Sequence, residues 1–125
     1  MGKNGGSMKA QTFENNANKV IDHCWETMFN KAKEYASDED RLANFKQPAS
    51  LLEMNPAEVG ICYGMKHMAS IVKMAKDLNK GIYPTEEYRL EKIGDMINYL
   101  LLIDSAIQEI TNEQTIEDID DIDES

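Results

Sequence analysis

Proline is scarce in this 125-residue chain, with Pro48, Pro56 and Pro84 as the full set. The long intervals between them are rich in Ala, Leu, Met, Glu and Lys, so an all-α architecture is expected. A basic excess is also missing. Lys and Arg number 13 against 23 Asp and Glu, a net charge of −10, which excludes nucleic-acid binding driven by phosphate contacts. No apolar run approaches the roughly 20 residues that span a bilayer, so no membrane association is expected. The two cysteines, Cys24 and Cys62, have no CxxC spacing and no signal-like segment before them. They read as two buried free thiols in a soluble cytoplasmic protein.

The acidity is uneven. Residues 113–125 hold seven acids and no base, leaving 16 acids against 13 bases, or −3, for the rest. This divides the chain into three: residues 1–10, glycine-rich and polar at their start, as a flexible leader or expression scar; 11–112 as one helical domain; and 113–125 as a disordered acidic tail.

Within the domain four main helices are expected, packed as an antiparallel bundle and dimerising through the third or fourth. The first runs from about Phe13 to Ala36. Its apolar side is Ala17, Ile21, Cys24, Trp25, Met28 and Phe29, with Trp25 the largest core contributor. His23, Thr27, Asn30 and Glu34 form a polar stripe opposite, either solvated surface or the lining of a cleft. Ser37-Asp38-Glu39-Asp40 reads as a helix start; alternatively the helix continues, and Glu34 and Asp38 become a carboxylate pair on one face. Leu42, Phe45 and Ala49 anchor a short second helix ending near Leu52. Asn55-Pro56 starts the third, which runs to about Asn79 with Ile61, Gly64, Met65, Met68, Ile71, Val72 and Ala75 on its core face. His67 lies at the boundary of that face, as a hydrogen-bonded neighbour or a ligand, beside Lys66, an exposed lysine or a phosphate contact. Lys80-Gly81 and Pro84 end this helix, and Thr85 caps the next.

That last helix, Glu86–Ile110, organises the rest. Leu90, Ile93, Ile97, Leu100 and Leu101, with Met96, Ile103 and Ile107, make a broad apolar stripe at about 100° per residue. Glu91, Asp95 and Asn98 fall at i, i+4 and i+7 on nearly the opposite side, and their line continues into Leu102. A face that runs into leucine is expected to meet another helix, which makes Glu91 and Asp95 candidates for a semi-buried acidic site.

Four segments, KAKEY at 31–35, DEDRLANFK at 38–46, KHMASI at 66–71 and EKIGDMINYLLL at 91–102, together resemble the phage and prophage relatives of the nucleotide-modification-associated and MazG-like proteins. Their wider superfamily is the all-α NTP pyrophosphatases. The resemblance implies a helical, often dimeric core that holds Mg²⁺ (or Mn²⁺) between acidic helices and hydrolyses a nucleoside triphosphate to the monophosphate and pyrophosphate. The metal pairs would be Glu91 with Asp95 and Glu34 with Asp38, each spaced four apart where the superfamily has ExxE and ExxD. Lys31, Lys33, Arg41 or Lys66 could meet the triphosphate, and Tyr35, Asn44, Phe45 or Asn98 the base or sugar, with His67 nearby. No catalytic residue is singled out. Two other functions fit the same residues: a non-catalytic protein that sequesters a nucleotide signal of host defence, and a helical protein-interaction module. A phage-encoded protein would act in the host cytoplasm.

Overall fold

The computed structural model describes residues 7–35 and 40–124, and the side chains within that range apart from those of 31–35 and 118–124. Every regular element among them is helical: α1 (Ala10–Tyr35), α2 (Ala43–Leu52), α3 (Pro56–Asp77) with a 3₁₀ turn at Leu78–Lys80, and α4 (Glu86–Glu124). Local chemistry sets most of the boundaries. Asn55 and Glu58 form a reciprocal capping box with Pro56 at the first helical position, so two of the free N–H groups at the start of α3 are satisfied. Gly81, at φ 73°, reverses the chain after the 3₁₀ turn, a conformation glycine adopts without a Cβ penalty. Thr85 Oγ1 accepts from the Tyr88 N–H at 3.1 Å to start α4.

Helix α4 is the spine. Moving up α3, Gly60 faces Ile103, Gly64 faces Met96 and Tyr99, and His67 faces Asp95, so α3 and α4 are antiparallel. Helix α1 behaves differently. Lys19 meets Glu86 (2.6 Å) and Cys24 meets Asn98 (2.8 Å), so α1 and α4 advance in the same direction, a correction to the expected antiparallel bundle. Among the described residues α1 packs on α4 alone, while α2 lies on α3. The array is open, with two flanks that share only the spine.

The buried cluster is at one end, where Leu42, Phe45 and Ala49 of α2 meet Ala57 and Val59 of α3 and Ile103 and Ala106 of α4. All three expected anchors of the second helix are therefore buried. Lys46 bridges Asp40 (2.8 Å) and Glu109 (2.6 Å) at its rim, and these two acceptors raise its ammonium pKa above the ordinary lysine range.

Elsewhere the apolar faces differ from expectation. Trp25 is 58% exposed, because α1 turns Cys24 and its half-buried neighbours Val20, Thr27 and His23 toward α4 and leaves Trp25 about 100° away. On α3 the buried residues are Ala57, Val59, Gly60 and Gly64, with Ile71 half-buried, while Ile61, Met65, Met68 and Val72 face outward. Cys62 is exposed where a buried thiol was expected, and both cysteines are free. Helix α4 continues to Glu124 where the sequence reading ends it near Ile110 and begins a disordered tail. Residues 110–117 are all exposed, so helical backbone bonding and local contacts such as Thr115 Oγ1 donating to Thr111 O (3.0 Å) hold that extension.

Candidate functional site

The α3–α4 seam has two sides. His67 and Asp95 mark one, Gly64 and Met96 the other. On the first side the chemistry gathers. His67 Nδ1 lies 3.7 Å from Asp95 Oδ2, with the two side chains 23% and 13% exposed. The imidazole stacks on Tyr99 with ring centroids 5.0 Å apart and 30° between planes. The helical period that buries Ile103 thus also turns Asp95 inward and leaves Glu91, one turn earlier, exposed beside Lys92 Nζ at 3.8 Å.

Asn98, one turn after Asp95, is held from the other flank. Its Oδ1 accepts the Cys24 thiol at 2.8 Å, and the same sulfur lies 3.5 Å from Gly94 O. The helices are close at Gly94: a Cβ there would lie 3.1 Å from His23 Cδ2, with Cys24 Cα at an ordinary 3.9 Å. Burial, and then the negative charge of Asp95, push the Cys24 thiol above its ordinary value of 9.0. It is a neutral hydrogen-bond donor at physiological pH, unsuited to nucleophilic work. The half-buried His23 and Thr27 place the first half of the polar stripe of α1 at its contact with α4.

The expected site residues fall into separate groups. Glu91, Asp95, Asn98, His67 and the exposed Lys66 share the α4–α3 side. Arg41 and Asn44, both exposed, belong to the α2 end, which the Lys46–Glu109 ion pair fixes to α4. Asp95 and Glu109 are about 21 Å apart along α4, and Phe45, buried against Tyr99 between them, is core. Lys31, Lys33, Glu34 and Tyr35 lie in the last turn of α1, with side chains outside the described residues, and Asp38 lies outside them altogether. From Cys24 to Glu34 α1 rises by about 15 Å, toward the α2 end. Among the described residues no group of three His, Cys, Asp or Glu side chains is placed to hold a metal ion. Glu91 and Asp95 remain a pair of oxygen donors, which suits a cation that completes its shell with water and phosphate.

A shallow pocket of about 180 Å³ opens further along α3, lined by Ser70, Lys73, Asp77, Ile82, Tyr83 and Tyr88 among others. Lys73 and Asp77 pair there at 2.7 Å. Sequence reasoning did not find this corner, nor the Cys24–Asn98 bond. The one available signal for the latter was an asparagine interrupting the apolar run of α4. Comparisons with protein-family models, curated proteins and solved structures find no match for this chain. Among the described residues no helix is long and apolar enough to cross a membrane.

Proposed function

We propose that the protein is a cytoplasmic, phage-type, MazG-like nucleotide-processing protein that holds a nucleoside triphosphate at the Glu91–Asp95 face of α4 in a Mg²⁺- or Mn²⁺-dependent manner and hydrolyses it to the monophosphate and pyrophosphate. Asp95 carries this reading. Its carboxylate is 13% exposed, with Glu91 one turn before it and Asn98 one turn after, so three oxygen-bearing side chains follow one line of α4. An acidic face alone would repel a triphosphate, so nucleotide binding here requires the cation.

Mg²⁺ is commonly held by one or two carboxylates with substrate phosphates and water completing its octahedron, a need Glu91 and Asp95 meet. When bound, the ion would neutralise phosphate charge and lower the pKa of an attacking water. The chain's own residues do the rest. His67 orients the Asp95 carboxylate, and Tyr99 fixes the imidazole plane by stacking. Lys66, adjacent to His67 and exposed, offers a cation to the outer phosphates. Asn98, its oxygen engaged by Cys24, turns its amide N–H groups to the ligand. A second reading, binding without turnover as in sequestration of a nucleotide signal, draws support from the i, i+4 spacing of Glu91 and Asp95, which departs from the ExxD pattern of the superfamily.

The test is thermal unfolding against a panel of nucleotides, with and without Mg²⁺ or Mn²⁺, with pyrophosphate release followed in the same samples. At 100 times Kd a ligand adds about 2.7 kcal/mol, which raises Tm by roughly 10 °C for a domain of this size. A metal-dependent rise with pyrophosphate release supports the hydrolase, and a rise with intact ligand supports sequestration. Asp95→Ala is expected to abolish the rise while leaving helix content unchanged. No rise with any nucleotide leaves the interaction module as the function.

A further inference from the structure

We infer that the pocket at the Tyr88 end of the α3–α4 seam receives a guanine base, an inference that rests on the nucleotide reading of the Glu91–Asp95 face. Tyr88 lies seven residues before Asp95, so the two fall on one line of α4, about 10 Å apart along its axis. On α3, Ser70 is one turn beyond His67 and Asp77 two turns beyond Ser70. The pocket, about 180 Å³ in volume, and the acidic face therefore lie on the same side of the helical pair. The ribose and first phosphates of a nucleotide bridge such a distance.

The lining suits a base better than an anion. Tyr83 and Tyr88, 75% and 41% exposed, join Ile82, Pro84 and Met74 in the walls, and aromatic rings of this kind stack on bases. The Lys73 charge is matched by Asp77 at 2.7 Å, so the pocket itself offers a phosphate no net attraction. The cation placed for phosphate is Lys92. Its Nζ lies 5.4 Å from the centre of the Tyr88 ring and 3.8 Å from Glu91 Oε1, at the border between the pocket and the acidic face.

The polar edge selects the base. Asp77 is 16% exposed, and its Oδ2 accepts from Lys73. Ser70 Oγ donates to Lys66 O at 3.3 Å, which leaves that oxygen as an acceptor. The edge thus presents a carboxylate and a hydroxyl oxygen beside one ammonium. Guanine presents the complement: N1–H and N2–H donors, a pair that matches a carboxylate, next to the O6 acceptor. Adenine carries no N1–H and hypoxanthine no N2 amino group, so either leaves part of this edge unmet.

Isothermal titration of the full chain with GTP, ITP and ATP in Mg²⁺ tests this. GTP is expected to bind about 10-fold more tightly than ITP or ATP, the effect of one hydrogen bond to a charged group. Asp77→Asn is expected to remove that preference and leave ATP affinity unchanged. Tyr83→Ala, altered at an exposed wall, is expected to weaken all three alike. Equal affinity for the three in the wild type overturns the guanine assignment while leaving metal-dependent binding at Glu91 and Asp95 in place, and so does a GTP preference that persists in Asp77→Asn. Failure of all three to bind overturns the nucleotide reading and this inference with it. Should Asp77→Asn not fold, the wild-type comparison of GTP with ITP decides.

Discussion

The two flanks of α4 are built on different principles. At the α2 end, Phe45 sits 4% exposed among apolar neighbours from three helices and contacts two aromatic rings, Tyr63 at 5.9 Å and Tyr99 at 6.3 Å. On the α1 flank the contact is thinner and more polar: a thiol, an asparagine, a glycine carbonyl and an exposed ion pair. Apolar burial yields stability in proportion to area removed from water, whereas a net hydrogen bond contributes about 1 kcal/mol and an exposed ion pair less. The α2 end should therefore dominate the stability of the chain, and the α1 flank should determine orientation.

The largest test of that contrast is Phe45→Ala. It should cost about 3–5 kcal/mol in urea unfolding, because the ring is enclosed on three sides and the cavity cannot collapse. A loss under 1 kcal/mol would mean that this end is not the core.

A matched pair of glycine substitutions sharpens the contrast. At Gly60 a Cβ would lie 2.8 Å from Ile103 Cγ1 and 2.9 Å from Phe45 Cε2, so Gly60→Ala should destabilise by about 1–3 kcal/mol despite alanine's better helix propensity. At Gly94 the nearest atom is the edge of His23, at 3.1 Å. This half-buried side chain has room to yield, so Gly94→Ala should stay within about 0.5 kcal/mol of wild type. Equal losses at both positions would show the α1 flank to be packed as tightly as the core.

The smallest expected effect is in pH. The Cys24 thiol is raised in the folded state above its ordinary value of 9.0, so above that pH the unfolded chain loses a proton that the folded chain keeps. Stability on this account is complete below about pH 8 and declines as pH rises past 9. Cys24→Ala should flatten the decline, while a Cys62→Ala variant, altered at an exposed thiol, should keep it. An unchanged slope in Cys24→Ala would assign the alkaline decline to other groups.

How much of this was legible in the sequence depends on the range of the interaction. Helix starts at Asn55 and Thr85 and the reversal at Gly81 were readable, because capping and turn chemistry act within four residues. The anchors Leu42, Phe45 and Ala49 were readable because they recur at intervals of three and four along a short helical segment. The packed face of α3 was readable in part: Gly64 and Ile71 were expected on it, Val59 and Gly60 were not. That helix has two faces at helical spacing, one small (Gly60, Gly64) and one large (Ile61, Met65, Met68, Val72), and a hydrophobicity criterion selects the large one. Packing within the chain selects the small one, since the glycines allow α4 to approach. Trp25 fails for the same reason: among the described elements α1 has only α4 as a neighbour, and the size of a side chain does not decide which side meets it. At the site, the i, i+4 geometry of Glu91 and Asp95 follows from the helix period. Placing His67 beside Asp95 and Cys24 beside Asn98 requires the relative rotation of three helices, which no local pattern encodes.

The parallel pairing of α1 with α4 also bears on how the chain is made. The bonds that hold α1 join residues 67 to 74 positions apart. During vectorial synthesis the first helix leaves the ribosome long before its only intramolecular partner among the described elements, and nothing shorter in range engages it. The side chains it turns toward α4, among them Val20, His23, Cys24 and Thr27, must wait in water until the last third of the chain emerges. The α2–α3 pair, adjacent in sequence, can begin to associate earlier. The order of translation thus makes the N-terminal helix the last to dock, and nascent chains that stall before α4 would be those a chaperone must hold.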